Sequence, residues 1–524
     1  MYGSGLVSAS VVQWNGLTLP TTFVNSTQVV AKVAAANRQS SATAPVTVFN
    51  PAPGGGLSNT ISVLVAPAPA PPAGVGVIQM VSLALDGTAG NGNSNTPPAV
   101  SADGRYVAFQ SDATNLVAGP ASGFADIYVR DTCLGVPSGC TPSTTRVSVA
   151  NDGTLPNGNS RSPAISANGR YVAFDSSATN LMLNDTNGWS DVFVRDTCIG
   201  APLGCVPTLT PVSVASDGSH GNDSSRDPAI SADGRFIAFN SVASNLVAND
   251  TNAALDIFLR DTCIGAPAGC TPGTTRISVA SDGGQSNGPS IYASISAAGR
   301  YISFRTGADN LVPNDKNATV VLHDTCFGAP AGCTPSNRNL YVGYAGDAPD
   351  SAIDNLWILS ANGRFSGYGS TAKNLVPGDT NQAVDAFVSD NCIGAPAGCI
   401  PHNDRVSLTY NGGQGDTGSG AAVSSDDGNH VAFISIASNL LPYAYSASAV
   451  YIRTGCTNAP ADCVPTTYLV SLNNSSGAPA DSFYSDYPAI TPDGRYVVFL
   501  SNATNLLTGT PSNGRNQIWL ARAF

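Results

Sequence analysis

The nine residues SADGRYVAF (101–109) decide the fold, because close copies of them return along the chain. A polar S-x-D-G turn runs into a short apolar segment, which is typical of a tight turn that enters a β-strand. Such self-similarity is the signature of a repeat architecture. There are seven copies about 65 residues apart, at 101–109, 166–174, 231–239, 296–304, 360–368, 424–433 and 491–499.

Each repeat contains four β-like runs separated by turn residues, for example PAIS, GRYVAF, DVFVRD and TTRISVA. Four antiparallel strands per repeat predict a propeller blade, and seven copies predict a seven-bladed β-propeller. Composition agrees, because the chain has no Glu, three Lys, 54 Gly and 36 Pro. These residues favour turns over helices, so we expect an all-β fold.

The two ends of the repeat region complement each other. The strand-like segment VIQMVSLALDG (77–87) precedes the first repeat, and the last repeat stops after its third strand, QIWLARAF (517–524). We therefore expect the N-terminal strand to pair with the last blade and close the ring, which removes exposed sheet edges.

The twelve cysteines form six pairs, always seven residues apart and always between the third and fourth strands. Zinc needs four converging ligands, whereas each pair stands alone on its blade. The spacing therefore predicts disulfides, and an oxidising compartment with them. The pairs are Cys133–Cys140, Cys198–Cys205, Cys263–Cys270, Cys326–Cys333, Cys392–Cys399 and Cys456–Cys463.

Charge and hydropathy exclude two classes of partner. The net charge is −12 with no basic patch, which argues against nucleic acid. No run of 18 apolar residues exists for a membrane span, and the N-terminus MYGSGLVSAS lacks the features of a signal peptide. We interpret that N-terminus as truncated, and the cysteines predict an extracellular, cell-surface or periplasmic protein of bacterial type.

The first 65 residues form a separate region, followed by the Pro/Ala-rich linker APAPAPPAGVG (66–76). The words WNG (14–16), STQ (26–28) and VTVFNPAPGGGLSN (46–59) resemble an IPT/TIG immunoglobulin-like domain. The resemblance implies a small β-sandwich over 1–65. It is incomplete, because the chain begins where the first strand of such a domain would end.

The repeats over 77–524 resemble the TolB-like, WD-repeat-like propeller family. Its blade word is similar to S-x-D-G-x-x-[IV]-[AV]-F, as in SADGRYVAF (101–109) and TPDGRYVVF (491–499). The resemblance implies the propeller fold and a habit of binding. Propellers serve many functions, so the function must be argued from the site.

The spacing D-x-N-x-x-x-D recurs in three loops between the second and third strands. Alternating carboxylate and amide oxygens suit Ca²⁺, which takes six to eight oxygen ligands. The other interpretation is structural, with Asp and Asn forming turns at the hairpin end. The predicted calcium ligands are Asp185, Asn187 and Asp191; Asp250, Asn252 and Asp256; and Asp379, Asn381 and Asp385.

Four aromatic residues are further candidates. Trp189 and Tyr292 lie at or beside the polar loop face, and Tyr443 and Tyr445 lie in the long loop LLPYAYSAS that replaces the Asp word in the sixth repeat. They would either stack on a sugar or pack between blades. No catalytic set is predicted, because the four His lie in different repeats without metal spacing. The Asp of the S-x-D-G word recurs as a turn residue and is assigned to architecture.

The sequence favours a secreted or cell-surface binding or scaffold protein without enzymatic activity, whose loops engage a protein, a glycan or a cell-wall component. Two alternatives remain open. The first is a carbohydrate-active enzyme, either glycoside hydrolase or lyase, that uses Asp residues at the pore. The second is a self-assembling subunit of a surface layer or filament.

Overall fold

The computed structural model describes residues 3–31, 42–52, 55–65, 77–136, 139–182, 185–312, 319–351, 353–443, 445, 447–455, 464–473, 479–481, 484–508 and 513–523. The chain divides into two compact units, Met1–Pro72 with Leu441–Ala444, and Ala73–Leu440 with Tyr445–Phe524. The described residues form strands and turns and contain no helix, which confirms the all-β prediction. No helical segment that could span a lipid bilayer is found in this part of the chain.

The first unit contains a five-stranded sheet, in which β5 pairs with β1, β6 and β7, and a separate β3–β4 hairpin. Apolar side chains, including Val12, Trp14 and Val48, form its core. The immunoglobulin-like assignment of this unit stays a prediction. The linker at 66–76 also stays a prediction, because these residues lie outside the described part of the chain. The strands are β1 (Val11–Trp14), β2 (Leu17–Thr18), β3 (Thr21–Asn25), β4 (Gln28–Ala31), β5 (Ala42–Asn50), β6 (Gly56–Leu57) and β7 (Ile61–Val65).

The described residues of the second unit form seven four-stranded antiparallel sheets that fit propeller blades. We number them sheets 1 to 7 in chain order. The strands are β8 (Ile78–Met80); β9 (Ala99–Val100), β10 (Tyr106–Ser111), β11 (Asp126–Asp131), β12 (Ser143–Arg146); β13 (Ser160–Ile165), β14 (Tyr171–Ser176), β15 (Asp191–Asp196), β16 (Thr208–Pro211); β17 (Ser225–Ile230), β18 (Phe236–Ser241), β19 (Asp256–Asp261), β20 (Gly273–Arg276); β21 (Ser290–Ile295), β22 (Tyr301–Thr306), β23 (Val320–Asp324), β24 (Ser336–Asn339); β25 (Ile353–Leu359), β26 (Phe365–Ser370), β27 (Asp385–Asp390), β28 (His402–Arg405); β29 (Ser419–Ser424), β30 (His430–Ser435), β31 (Ala449–Thr454), β32 (Thr466–Leu469); and β33 (Ser485–Ile490), β34 (Tyr496–Ser501), β35 (Gln517–Arg522).

The blade word forms the second strand of each sheet, and its side chains are buried on both faces. All six residues of Tyr106–Ser111 are buried. Successive side chains of a strand point to opposite faces, so sheets must cover both sides of this strand. In sheets 1, 3, 5 and 6 the large rings of the second and third strands stack, as Phe109 does on Tyr128 with ring centroids 5.8 Å apart.

Sheet 7 is built from both ends of the unit. Strand β8 pairs with β35 in the register Trp519↔Met80, Leu520↔Gln79 and Ala521↔Ile78. The backbone N–H of Arg522 also donates to the carbonyl of Val77 at 2.9 Å. The segment that precedes the first repeat thus supplies the fourth strand of the last sheet.

Glycine in the S-x-D-G turn allows consecutive sheets to pack closely. In all seven copies its φ is positive, and a Cβ would lie 2.3–3.2 Å from the residue that follows the DGR or equivalent turn of the preceding sheet. Sheet 1 packs in this way on sheet 7. The contacts are Gly104 on Tyr496, Gly169 on Tyr106, Gly234 on Tyr171, Gly299 on Phe236, Gly363 on Tyr301, Gly428 on Phe365, and Gly494 on His430.

The cysteine loops are closed by disulfides in five sheets: Cys133–Cys140, Cys198–Cys205, Cys263–Cys270, Cys326–Cys333 and Cys392–Cys399. The predicted pair Cys456–Cys463 lies outside the described residues. An ion pair braces each of these five loops. In sheet 1, Arg105 donates to both oxygens of Asp131 at 2.8 and 2.7 Å, and the Cys133 amide donates to the same carboxylate.

Candidate binding face

Two sets of connections share one face of the second unit. Because strands alternate in direction, the loops from second to third strand emerge beside the loops that lead from one sheet to the next. We call this side the loop face. It carries all three predicted calcium loops, and the disulfide loops lie on the opposite face.

In sheet 3 a guanidinium occupies the space between the two aspartates. Arg276 Nη1 lies 3.0 Å from Asp250 Oδ1 and 3.5 Å from Asp256 Oδ2. Asn252 Nδ2 donates to Asp256 Oδ2 at 2.9 Å, and Gln285 Oε1 accepts from Arg276 Nη1 at 3.0 Å. The predicted metal ligands therefore surround a cation that the chain itself supplies.

Sheet 5 repeats this arrangement. Arg405 Nη1 lies 3.6 Å from Asp379 Oδ1 and 3.3 Å from Asp385 Oδ2, and Asn381 Nδ2 donates to Asp385 Oδ2 at 3.1 Å. The backbone N–H of Asn381 donates to Gln414 Oε1 at 3.1 Å. A guanidinium and a metal ion would compete for the same oxygens, so the contacts in sheets 3 and 5 do not favour Ca²⁺. Calcium stays an untested prediction there.

Sheet 2 has the same two aspartates but no arginine between them. The strand register places Pro211 opposite Phe193, where sheet 3 has Arg276 opposite Phe258. Arg405 holds the corresponding register position in sheet 5. The loop of sheet 2 has therefore lost the positive side chain that the other two loops keep.

The carboxylates of sheet 2 are buried and poorly satisfied. Asp185 is 9% exposed and Asp191 is 2% exposed. Within the described residues, neither oxygen of Asp185 has a hydrogen-bond partner of normal geometry. Asp191 Oδ2 has no such partner there either. Asp191 Oδ1 accepts from Ser213 Oγ at 2.7 Å. The Asn187 N–H lowers the pKa of Asp185 without reaching that geometry.

Burial has the largest effect on the pKa of both carboxyl groups, Asp185 and Asp191. Burial raises the pKa of Asp191 to about 6; the Ser213 hydrogen bond opposes this and the charge of Asp185 adds to it. Burial also raises the pKa of Asp185, and His220 lowers the pKa of both carboxyl groups. His220 pairs with Val214, as Gln285 pairs with Val279 in sheet 3. A histidine thus replaces the glutamine of the neighbouring loop.

A second feature of the unit is a cavity of about 780 Å³ that is lined by residues of, or next to, the first strands of all seven sheets. Small and aliphatic side chains form its wall, among them Ile165, Ile230, Ile295 and Ile490. The end of the cavity nearest the loop face has a different wall from the rest, because the first strands of sheets 2 to 7 each contain a β-bulge there.

The bulges place four polar or aromatic side chains on the cavity wall: Ser162, Asp227, Tyr292 and Tyr487. We call these four residues the bulge ring. Each has a φ of 50–54°, which is unfavourable for a residue other than glycine. Such strain costs about 1–3 kcal/mol per residue and clusters at functional sites. The bulges therefore present the most varied side chains of the repeats to the cavity.

A carboxyl pair lies at the bulge ring. Asp227 Oδ1 accepts from Ser162 Oγ at 3.0 Å, and the Asp227 N–H donates to Asp175 Oδ1 at 3.4 Å. Burial raises the pKa of Asp175 to about 6, and the charge of Asp227 adds to this. Burial raises the pKa of Asp227 as well. The pair has a weak signal in the sequence, because only the second copy of the blade word is followed by Asp.

The four predicted aromatic candidates separate in the structure. Trp189 and Tyr292 are 48% and 44% exposed. Tyr443 and Tyr445 are half-buried, and Tyr445 Oη donates to the Ala480 carbonyl at 2.6 Å. Tyr292 belongs to the bulge ring, whereas Trp189 lies in the loop between Asn187 and Asp191. Two of the four thus present exposed ring surface on the loop face.

The disulfide loops bring together an acid and two sulfurs, as in Asp131, Cys133 and Cys140, in each of five sheets. These sulfurs are bonded to each other, so they are not thiolates. The carboxylate is held by Arg105. The cluster has no donor left for a metal and is structural.

No protein-family model matches the chain, and no curated protein matches it significantly. Solved structures with a similar fold include an oligogalacturonate lyase from Vibrio parahaemolyticus (TM-score 0.46, 11% identity, 85% of this chain and 96% of that chain). Others are the β-propeller domain of the Trilobed protease from Pyrococcus furiosus (0.42, 10%, 83% and 94%) and a TolB-like protein from Agrobacterium tumefaciens (0.32, 11%, 72% and 94%). These similarities concern the fold alone.

Proposed function

We propose that this chain is a non-enzymatic glycan-binding protein of the extracellular space, cell surface or periplasm. The seven sheets form the blades of a closed propeller in this proposal, and the ligand enters the cavity from the loop face. The observation that carries it is the bulge ring. Two tyrosines, Tyr292 and Tyr487, line the same cavity as the polar side chains of Asp227 and Ser162. Aromatic rings together with polar groups suit the apolar faces and hydroxyl groups of a sugar.

The disulfides support the proposed compartment. Five disulfides, one in each of sheets 1 to 5, persist only where thiols are not kept reduced. Self-assembly into a surface layer stays a prediction that no contact described above favours.

The test is calorimetric titration of the oxidised protein with purified peptidoglycan fragments, chitin oligosaccharides and pectic oligosaccharides. We expect at least one of them to bind, and Tyr292→Ala or Tyr487→Ala to weaken binding about tenfold through the lost ring contact. Phe327→Ala is the matched control, because Phe327 is 38% exposed, lies in a disulfide loop on the opposite face and does not line the cavity. Failure of all three glycan classes to bind, or equal weakening by Phe327→Ala, would contradict the proposal.

A carbohydrate-active enzyme is the second candidate, favoured by the carboxyl pair Asp175 and Asp227. A buried acid with a pKa of about 6 beside a second carboxylate is the arrangement that general acid–base catalysis needs. Incubation with the same glycans, and with the oligogalacturonate named for one similar structure, would release new reducing ends or unsaturated products. Asp227→Asn should abolish that release; product formation unchanged in this variant would exclude the pair as the catalytic site.

A further inference from the structure

We propose that the loop of sheet 2 binds one divalent cation between Asp185 and Asp191. The site is separate from the bulge ring and does not depend on the glycan proposal. Its basis is a comparison of three loops with the same D-x-N-x-x-x-D spacing inside one chain.

Sheets 3 and 5 show where the cation would lie. In both loops one guanidinium nitrogen stands between the two carboxylates, 3.0–3.6 Å from an oxygen of each. These loops therefore have a position that binds a positive charge in two independent copies. In sheet 2 the aspartates keep their places in the repeat, and Pro211 takes the register position of the arginine.

In sheet 2 the position between the two carboxylates still favours a positive charge. Asp185 and Asp191 are both more than nine-tenths buried, and three of their four oxygens have no hydrogen-bond partner of normal geometry in the described residues. No arginine or lysine of the described chain forms a salt bridge with either residue. A buried carboxylate without a partner is costly unless a cation or a metal compensates it.

A second substitution accompanies the loss of arginine. Gln285 in sheet 3 accepts hydrogen bonds from Arg276 and from loop amides. Sheet 2 has His220 at the equivalent bridge position, so it lacks the glutamine that supports the guanidinium in sheet 3. Two carboxylates completed by water suit hard divalent ions such as Ca²⁺ or Mn²⁺. Sheet 2 has therefore lost both the internal cation and the side chain that holds it.

The experiment is calorimetric titration of the full oxidised chain, stripped of metal, with CaCl₂, MnCl₂ and ZnCl₂ separately at neutral pH. We expect one of these salts to bind with a stoichiometry of one and to raise the melting temperature. Pro211→Arg restores the internal guanidinium, so it should abolish binding and melt higher than the metal-free wild type. Asp191→Asn should weaken binding at least tenfold, and it retains a side-chain oxygen for Ser213.

Asp217→Asn is the matched control, because it removes an exposed carboxylate from the His220 loop without touching the pair. It should bind the cation as the wild type does. Terbium luminescence gives a second readout, since Trp189 lies in the same loop and should sensitise a bound ion; Trp189→Phe should lose the emission and keep the calorimetric affinity. The proposal is overturned if none of the three salts binds, or if Pro211→Arg or Asp191→Asn binds as tightly as wild type.

Discussion

Asp175 shows what burial does to a single carboxyl group in this chain. It is 5% exposed, and its neighbour Asp227 carries the same charge. Both effects disfavour ionisation, so the pKa of Asp175 is raised to about 6. The group is a source of pH-dependent stability whether or not it takes part in chemistry.

We predict that Asp175→Asn stabilises the protein above about pH 6 and changes its stability least near pH 4. The folded pKa of about 6 lies above the unfolded value, so the folded state holds the proton more tightly. This contribution is complete below the unfolded pKa of about 3.9 and is lost as pH rises through 6, on the order of 3 kcal/mol in total. Asparagine has no such loss. Thermal melts of both proteins from about pH 4 to 8 test this, and a melting difference that does not vary with pH would contradict it.

At the scale of elements, the disulfide loop is braced twice. Its first cysteine has a φ of 58–61° in the five described loops, a conformation that the carboxylate of the preceding Asp supports by accepting the cysteine N–H. The disulfide then closes a loop of eight residues. The ion pair from the DGR turn fixes the same carboxylate to the second strand, so each loop is tied to its own sheet.

Replacing Cys263 and Cys270 by serine should lower the melting temperature without changing the β-sheet circular dichroism. Chain entropy assigns about 2–3 kcal/mol to a loop this short, and the Arg235–Asp261 pair remains to hold the hairpin. The melting temperature of wild-type protein treated with a reducing agent should fall further, because several disulfides open at once. Equal melting temperatures of the double variant and the oxidised wild type would show that the bridge adds no stability.

The strands and loops also show which features could be predicted from the sequence and which could not. The four-stranded sheets could be predicted because the 65-residue period and the apolar second strand are local patterns. The difference between the three Asp loops could not be seen in the loop word, since Arg276 lies 20 residues beyond Asp256 on another strand. Of the bulge ring only Tyr292 was a candidate from the sequence, because a register shift between two strands has no local signal at Ser162 or Tyr487.

At the scale of the whole molecule, the sheets are joined in series by contacts of one kind. The turn glycine of each sheet lies against a side chain of the preceding sheet, and backbone bonds link neighbouring turns, as from Ala102 to Ala167 at 2.9 Å and from Ala167 to Ala232 at 3.0 Å. The repeated S-x-D-G word therefore encodes the approach of two sheets as well as a turn.

Gly234→Ala and Gly218→Ala separate these two roles. Both glycines have a positive φ, 83° and 88°, so alanine strains the backbone similarly at each. A Cβ at Gly234 would lie 2.3 Å from Tyr171 Cδ2, whereas nothing lies within 4 Å of one at Gly218. We expect Gly234→Ala to cost about 1–3 kcal/mol more than Gly218→Ala through overpacking. Denaturant midpoints measure the difference, and similar midpoints would show that sheet contact adds nothing to the turn requirement.

The pairing of β8 with β35 has a mechanical consequence. The two strands are antiparallel, with Val77 beside Arg522, so a pull applied between Val77 and Ala523 loads their hydrogen bonds one after another. Bonds that break in sequence resist far less force than bonds sheared together. Tension carried through the chain would therefore detach the short strand first, while the disulfide-tied hairpins of sheets 1 to 5 stay folded, and the strand would zip back when the tension is released.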